Sequence, residues 1–280
     1  MREESAVNFA CAGARLYGVL HRPPSALAAA ARGVLIVVGG PQYRAGSHRQ
    51  FTLLARALAA AGIPVMRFDY RGMGDSEGAL RDFTAIDDDL RAAVDYFVAS
   101  VPGMAELALW GLCDGATAAG LYAAGDRRVT GLALLNPWIR TDSGIATATL
   151  KYYYRARLLE RGFWAKLLRG RFDIGGALRS ALGLARAALA LAPIDAPAAL
   201  PDRLLAALTR FDGRVLVMLS GADLTAQEFD GQASASDGWR RLLAAPRVTR
   251  RRLAQADHTC SRRVWQDQVA GWTCNWVVSW

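Results

Sequence analysis

The stretch from Leu107 to Ala123 reads as a short apolar strand, a Gly-bracketed turn and a small-residue helix, with a cysteine at its centre. Gly111-Leu112-Cys113-Asp114-Gly115 has the spacing of G-x-S-x-G, the sharp strand-to-helix turn that presents a nucleophile, but a thiol takes the serine's seat. Small neighbours are required there, because the nucleophile's backbone is strained and the following helix packs close to its strand. Gly111, Gly115, Ala116 and Ala119 supply them. At a helix N-terminus, unpaired N–H groups and the macrodipole favour thiolate. The plainer alternative is a buried core cysteine in a glycine turn. The strand-turn-helix setting favours the nucleophile.

A thiol nucleophile needs a base, and the base needs an acid to orient it. Of the three histidines, His258 follows the last expected strand in Gln255-Ala-Asp-His-Thr-Cys260, while Asp223 stands in the same relation to the strand before it. The chain order Cys113, Asp223, His258 is the order of the α/β-hydrolase triad. His258 as a surface loop residue and Asp223 as a helix N-cap ahead of Thr225-Ala-Gln-Glu228 are the structural alternatives. Asp257 and Asp230 compete for the acid's role, but Asp257 adjoins His258 in sequence and is poorly placed to receive its ring N–H. An oxyanion also needs donors. One is the N–H of Asp114. The other comes from the turn Gly39-Gly40-Pro41-Gln42-Tyr43-Arg44, and because Pro41 has no N–H, Gly40 or Gln42 must serve.

These residues require a sheet that brings successive strand ends together. Residues 5–11 and 15–21 pattern as an antiparallel hairpin around Ala12-Gly13-Ala14. Gly33-Val-Leu-Ile-Val-Val38 is a continuous apolar run, as in a strand buried on both faces of a parallel sheet. A helix pattern over 48–61, a strand at Pro64–Phe68, a helix over 84–99, the elbow, and a strand at Val129–Leu135 then alternate as βαβ units do. The alternation stops at Asn136-Pro137 and resumes at Val215–Leu219, before Val248–Leu253 and a last helix from Ser261. Residues 138–205 read as an all-helical inserted cap, with 1–137 and 206–280 forming one core domain. Trp265, Trp272, Trp276 and Trp280 make one stripe on the terminal helix, the pattern of core packing. Asp82, Asp87, Asp88 and Asp89 read as the acidic first turn of a helix.

The chain has 280 residues, 52% hydrophobic and 21% charged, which suits one large ordered α/β domain with an insertion. The formal net charge of +9 is carried almost wholly by arginine, since Lys151 and Lys166 are the only lysines. No RNA- or DNA-binding module is recognisable, so nucleic acid is not expected as a partner. Cys11, Cys113, Cys260 and Cys274 form no C-x-x-C pair and histidines are few, so neither a metal nor another cofactor is expected. Reduced thiols and the lack of a signal-peptide pattern at the N-terminus point to a cytoplasmic protein. Residues 151–171 mix cations with aromatics. They read as an amphipathic cap helix with a solvated basic face, the sharper alternative being peripheral membrane contact or a substrate with an anionic head.

With Gly39-Gly40-Pro41, Asp69-x-Arg71-Gly72-x-Gly74-x-Ser76-x-Gly78, the elbow, Gly221-x-Asp223 and His258 in place, the chain resembles the α/β-hydrolase superfamily over nearly its whole length. The resemblance implies a mostly parallel eight-stranded sheet flanked by helices, with a helical cap after the sixth strand. Within the superfamily, Gly39 to Gln50 and Gly111-Leu-Cys-Asp-Gly115 are similar to the exosortase A system-associated hydrolase 1 family. That narrower likeness implies gene neighbourhoods for exopolysaccharide production and protein sorting, and a Cys-for-Ser nucleophile similar to that of dienelactone hydrolases. The expected activity is attack on a small-molecule ester or thioester by Cys113, with His258 as base and Asp223 as its acid. An acyltransferase using the same residues and a non-catalytic hydrolase-like scaffold are the alternatives.

Overall fold

The computed structural model describes residues 3–24, 31–40, 42–140 and 198–280. Most of the expected cap, including the basic segment 151–171, lies outside the described residues, as does Pro41.

Strands β1 (Glu3–Cys11) and β2 (Ala14–Arg22) form the expected hairpin, antiparallel with Cys11 opposite Ala14. They are followed by β3 (Arg32–Val37), α1 (Gln50–Ala60), β4 (Val65–Asp69), α2 (Asp87–Ser100), β5 (Glu106–Leu112), α3 (Asp114–Tyr122) and β6 (Val129–Leu135). After the undescribed segment come α4 (Leu200–Arg210), β7 (Arg214–Ser220), α5 (Leu224–Ala235), α6 (Asp237–Leu243), β8 (Val248–Leu253) and α7 (Arg263–Val277). The eight strands make one sheet in the order β1-β2-β4-β3-β5-β6-β7-β8. β2 pairs antiparallel with β4, and every pairing from β4 through β8 is parallel.

The apolar run of β3 is explained by burial on both faces. Val34 and Ile36 join one core cluster with Phe51 and Leu58 of α1 and Val269 and Trp276 of α7. Leu35 and Val37 point the other way, into a cluster with Leu90 and Phe97 of α2, Ala119 of α3, Leu204 of α4 and Phe229 of α5. Helices therefore cover both faces of a parallel sheet, whose strands carry no polar alternation. The tryptophan stripe of α7 faces this core: Trp276 is buried, and Trp265, Trp272 and Trp280 pack against the same cluster. Helix α4 begins inside the range read as cap, and its Leu204 and Leu208 lie against Gly120 of α3.

Three helix starts differ from the sequence reading, the first being α1, which begins at Gln50 after a separate turn at Ser47–Arg49. α2 starts at Asp87, because Asp82 accepts the Thr84 N–H at 2.8 Å and closes a separate single turn at Phe83–Ala85. α7 starts at Arg263, since Asp257 first binds the Ser261 N–H at 2.9 Å in a preceding turn.

Candidate active site

The strand order reverses direction at β3, whose neighbours are β4 on one side and β5 on the other. In open α/β sheets ligands bind beyond the carboxyl ends of the strands at such a switch point. Gly39 and Gly40 follow β3 there, and Cys113 follows β5.

Cys113 has φ 60° and ψ −125°, a region that non-glycine residues occupy only under constraint. The constraint is visible in its hydrogen bonds. The Cys113 N–H donates to Leu135 O at 2.9 Å, and its carbonyl accepts from Ala116 N at 3.1 Å and Trp138 N at 3.2 Å. The flanking glycines leave no room for a methyl group. A Cβ on Gly111 would sit 2.4 Å from Gly115 O, and one on Gly115 would sit 2.6 Å from Val37 O. Close approach of α3 to β3 and β5 thus holds Cys113 at the helix N-terminus, where its side chain is half-buried.

His258 lies in the loop after β8, and its Nδ1 is 2.9 Å from Asp223 Oδ2. The Cys113 side chain is near enough to the imidazole to act on its charge. The bond to Asp223 first, and the nearby Cys113 side chain second, push the His258 pKa up to about 10 against the opposing effect of burial. Such an imidazole carries a proton at neutral pH. Asp223 is buried, and it caps α5 as well, since its two carboxylate oxygens accept the Thr225 N–H at 3.2 Å and the Ala226 N–H at 3.1 Å. The N-cap of α5 and the hydrogen-bond partner of His258 are thus the same residue. Asp257 is turned to Ser261, and Asp230 pairs with Arg250 and Arg252.

The turn after β3 shows a division of labour that the sequence left open. Gly40, at φ 59°, directs its N–H to Asp114 Oδ2 at 2.7 Å, and Asp114 Oδ1 accepts the Gly115 N–H at 3.0 Å. Gly39 makes room for this carboxylate, because a Cβ there would lie 2.0 Å from Asp114 Oδ1. Burial pushes the Asp114 pKa up despite these N–H donors. The Gly40 N–H, expected as an oxyanion donor, is therefore engaged by a carboxylate. Gln42 is held in place by its side chain, whose Oε1 accepts the Ser47 N–H at 3.2 Å and Gln50 Nε2 at 3.3 Å.

The loop Asp69–Gly78 serves this turn from behind. Buried Asp69 accepts the Arg44 N–H at 2.6 Å and pairs with the Arg44 guanidinium, anchoring the far end of the Gly39–Arg44 turn. Gly74, at φ 52°, is needed because its Cβ would sit 2.2 Å from Asp69 Oδ2. Ser76 Oγ donates to Asp69 O at 2.6 Å and accepts the Tyr17 N–H at 2.9 Å, while Arg71 clamps Asp89 at 2.7 Å. The D-x-R-G-x-G-x-S-x-G pattern is thus a structural brace.

Sequence reasoning missed Asn136 and Ser220, which are both buried between β6 and β7 and joined by their side chains. The available signal was a polar residue closing an apolar strand immediately before Pro137. Among the described residues no cluster of His, Cys, Asp and Glu is arranged to hold a metal ion, and no helix is long and apolar enough to cross a membrane. The described cysteines are all free thiols.

A family described as serine aminopeptidase, S33, matches residues 29–168, half of the chain. Among curated proteins none matches. The fold is similar to that of an esterase from Pyrococcus furiosus, at 15% identity and a TM-score of 0.67, covering 100% of this chain and 93% of the other. It is also similar to a dienelactone hydrolase from Anabaena variabilis, at 16% identity and a TM-score of 0.62, with 100% and 98% covered. An α/β serine hydrolase from Xanthomonas campestris, described as being without a lid, aligns at 19% identity and a TM-score of 0.58, with 98% and 95% covered. At these identities the likeness is one of fold.

Proposed function

Because the chain belongs to the serine aminopeptidase S33 family of α/β-hydrolases, we propose that it acts on a small-molecule ester or thioester through Cys113, His258 and Asp223. The observation that carries this reading is the strained Cys113 at the elbow beside an imidazole that Asp223 holds at 2.9 Å. Cysteine stands where the family's name leads one to expect serine, and it is what distinguishes the reaction.

The steps follow from these positions. Asp223 accepts the Nδ1–H of His258, which leaves Nε2 toward the thiol. As Cys113 Sγ bonds to the acyl carbon, its proton is already held on His258 Nε2 and the carbonyl π pair moves to oxygen. In this reading the N–H groups of Asp114 and Gln42 are the donors for that developing oxyanion, because the Gly40 N–H is taken by the Asp114 carboxylate. When the C–S or C–O bond of the donor breaks, His258 returns the proton to the leaving group and an acyl-Cys113 thioester remains. Water, activated by His258, releases the acid. An alcohol or amine in its place makes the same residues an acyltransferase.

Thiolate leaving groups are displaced without the strong protonation that an amine requires, so activated esters, lactones and thioesters fit a cysteine better than amides do. A helical cap over 138–205, a place beside exosortase and exopolysaccharide genes, and a cytoplasmic location belong to the same proposal. Phenyl and acyl thioesters together with p-nitrophenyl esters test its chemistry. Turnover by the wild type that disappears in Cys113→Ala is expected; equal rates in the two proteins refute it. Gain of ester hydrolysis in Cys113→Ser is expected if the remaining groups are a working triad.

A further inference from the structure

The geometry points to Asn136 as the positioning residue that locks the elbow, the acid loop and the histidine loop into one register; this inference rests on the triad proposed above. Asn136 directly follows β6 and is fully buried. Its φ of 49° is left-handed, a conformation that an asparagine tolerates better than most residues but that still needs a reason. The reason lies in what this backbone turn allows its side chain to reach. Nδ2 donates to Ser220 Oγ at 3.0 Å and to the His258 carbonyl at 3.1 Å, and Oδ1 accepts the Ser220 N–H at 2.8 Å. The Asn136 N–H donates to Met218 O at 2.9 Å.

One amide therefore grips the end of β7, three residues before Asp223, and the backbone of His258 itself. The residues on either side grip the nucleophile: Leu135 O accepts the Cys113 N–H, Trp138 N–H donates to Cys113 O, and Thr117 Oγ1 donates to Trp138 O at 2.6 Å. The short turn Asn136–Trp138 is thus bonded to all three elements that carry the triad. The acid and histidine loops are joined to each other as well, through Gly221 N–H to Leu253 O at 2.7 Å and Ala222 N–H to Ala256 O at 3.0 Å. These bonds run between backbones only. The Asn136 amide is the side chain that fixes the His258 backbone relative to β6 and β7. A buried amide with both donors and its acceptor satisfied is rigid, and misplacement of a catalytic group by about 1 Å costs on the order of 10²-fold in rate.

Two variants separate the side chain from the backbone. Asn136→Gly keeps a residue at ease with φ near 49° and removes all three side-chain bonds. Asn136→Asp keeps the shape and the acceptor for the Ser220 N–H but replaces both donors with an oxygen facing the His258 carbonyl. For each, kcat and KM on a phenyl thioester are measured, together with the downfield proton resonance of His258 Nδ1–H. The expected result is a fall in kcat of about 10–100-fold with KM changed less than about threefold, and loss or upfield movement of the His258 resonance in both variants. A wild-type resonance in folded Asn136→Gly overturns the inference, even if activity falls. So does unchanged kcat. Should Asn136→Gly fail to fold, Asn136→Asp, which also loses the donor to the His258 carbonyl, carries the same two outcomes. The resonance reads the His258–Asp223 pair without turnover, so turnover that survives in Cys113→Ala removes the proposed nucleophile while the resonance still decides the role of Asn136.

Discussion

Replacing Asp114 by alanine tests the division of labour in the turn after β3. In the structure the Asp114 carboxylate accepts the Gly40 N–H at 2.7 Å and the Gly115 N–H at 3.0 Å. Hydrogen bonds to a charged partner contribute about 1.5–3 kcal/mol each, but Asp114 is only partly buried and water takes over part of the loss. A net destabilisation of about 1–3 kcal/mol is expected by urea unfolding. The effect on activity is separate. If the carboxylate holds Gly40 so that the Gln42 N–H faces the oxyanion, its loss lets the turn drift and weakens one donor. Loss of one such donor costs about 10²–10³ in kcat. Asp114→Ala is therefore expected to lower kcat on a thioester about 10²-fold with little change in KM, and Asp114→Asn, which keeps one acceptor, to fall between it and wild type. Faster turnover in Asp114→Ala would refute the reasoning, because it would mean that the carboxylate sits where the oxyanion belongs and blocks it. Unchanged kcat would refute it too, by showing that the Gly40 amide has no part in placing the turn.

Further outcomes follow from the same geometry. Gly115→Ala puts a Cβ 2.6 Å from Val37 O and 3.1 Å from Gly39 N, so α3 must move off β3; a loss of about 1–3 kcal/mol is expected in urea unfolding, as for overpacked cores, together with slower alkylation of Cys113 by iodoacetamide. Wild-type stability in this variant would mean that the β3–α3 spacing is not fixed at Gly115. His258, ordinarily near 6.5 and raised to about 10 in the fold, binds a proton more tightly folded than unfolded. Its contribution to stability is fully present below about pH 6.5 and is lost as pH rises through about 10. Unfolding free energy measured from pH 6 to 10 should fall with pH in wild type and fall less steeply in His258→Ala and Asp223→Asn; parallel curves would remove the His258–Asp223 pair from the stability of the fold.

Much of the fold was legible because its signals are local. The β3 run is apolar without alternation since both faces of the strand are covered. The elbow was readable because steric limits act between residues four apart, Gly111 and Gly115. Asp223 and His258 were found by counting strands, since each stands just past a strand end on the same edge of the sheet. The start of α2 was misplaced because Asp82 and Asp87 are both good first-turn acids, and only the Thr84 bond shows which turn Asp82 closes.

By itself, then, the sequence determined the order of strands, the thiol at the elbow and the residue types of the proposed base and acid, all of which follow from patterns within a few residues. Tertiary structure alone decided the rest. It showed that Asp114 engages Gly40, 74 residues away, that Asn136 holds Ser220, 84 residues on, and that the same amide reaches His258 across 122 residues. It also showed that one Asp223 carboxylate both caps α5 and holds the imidazole. The physical reason is that a buried polar group must find its partner among whatever strand ends the sheet order places beside it, and nothing in the local pattern of either partner encodes that neighbour.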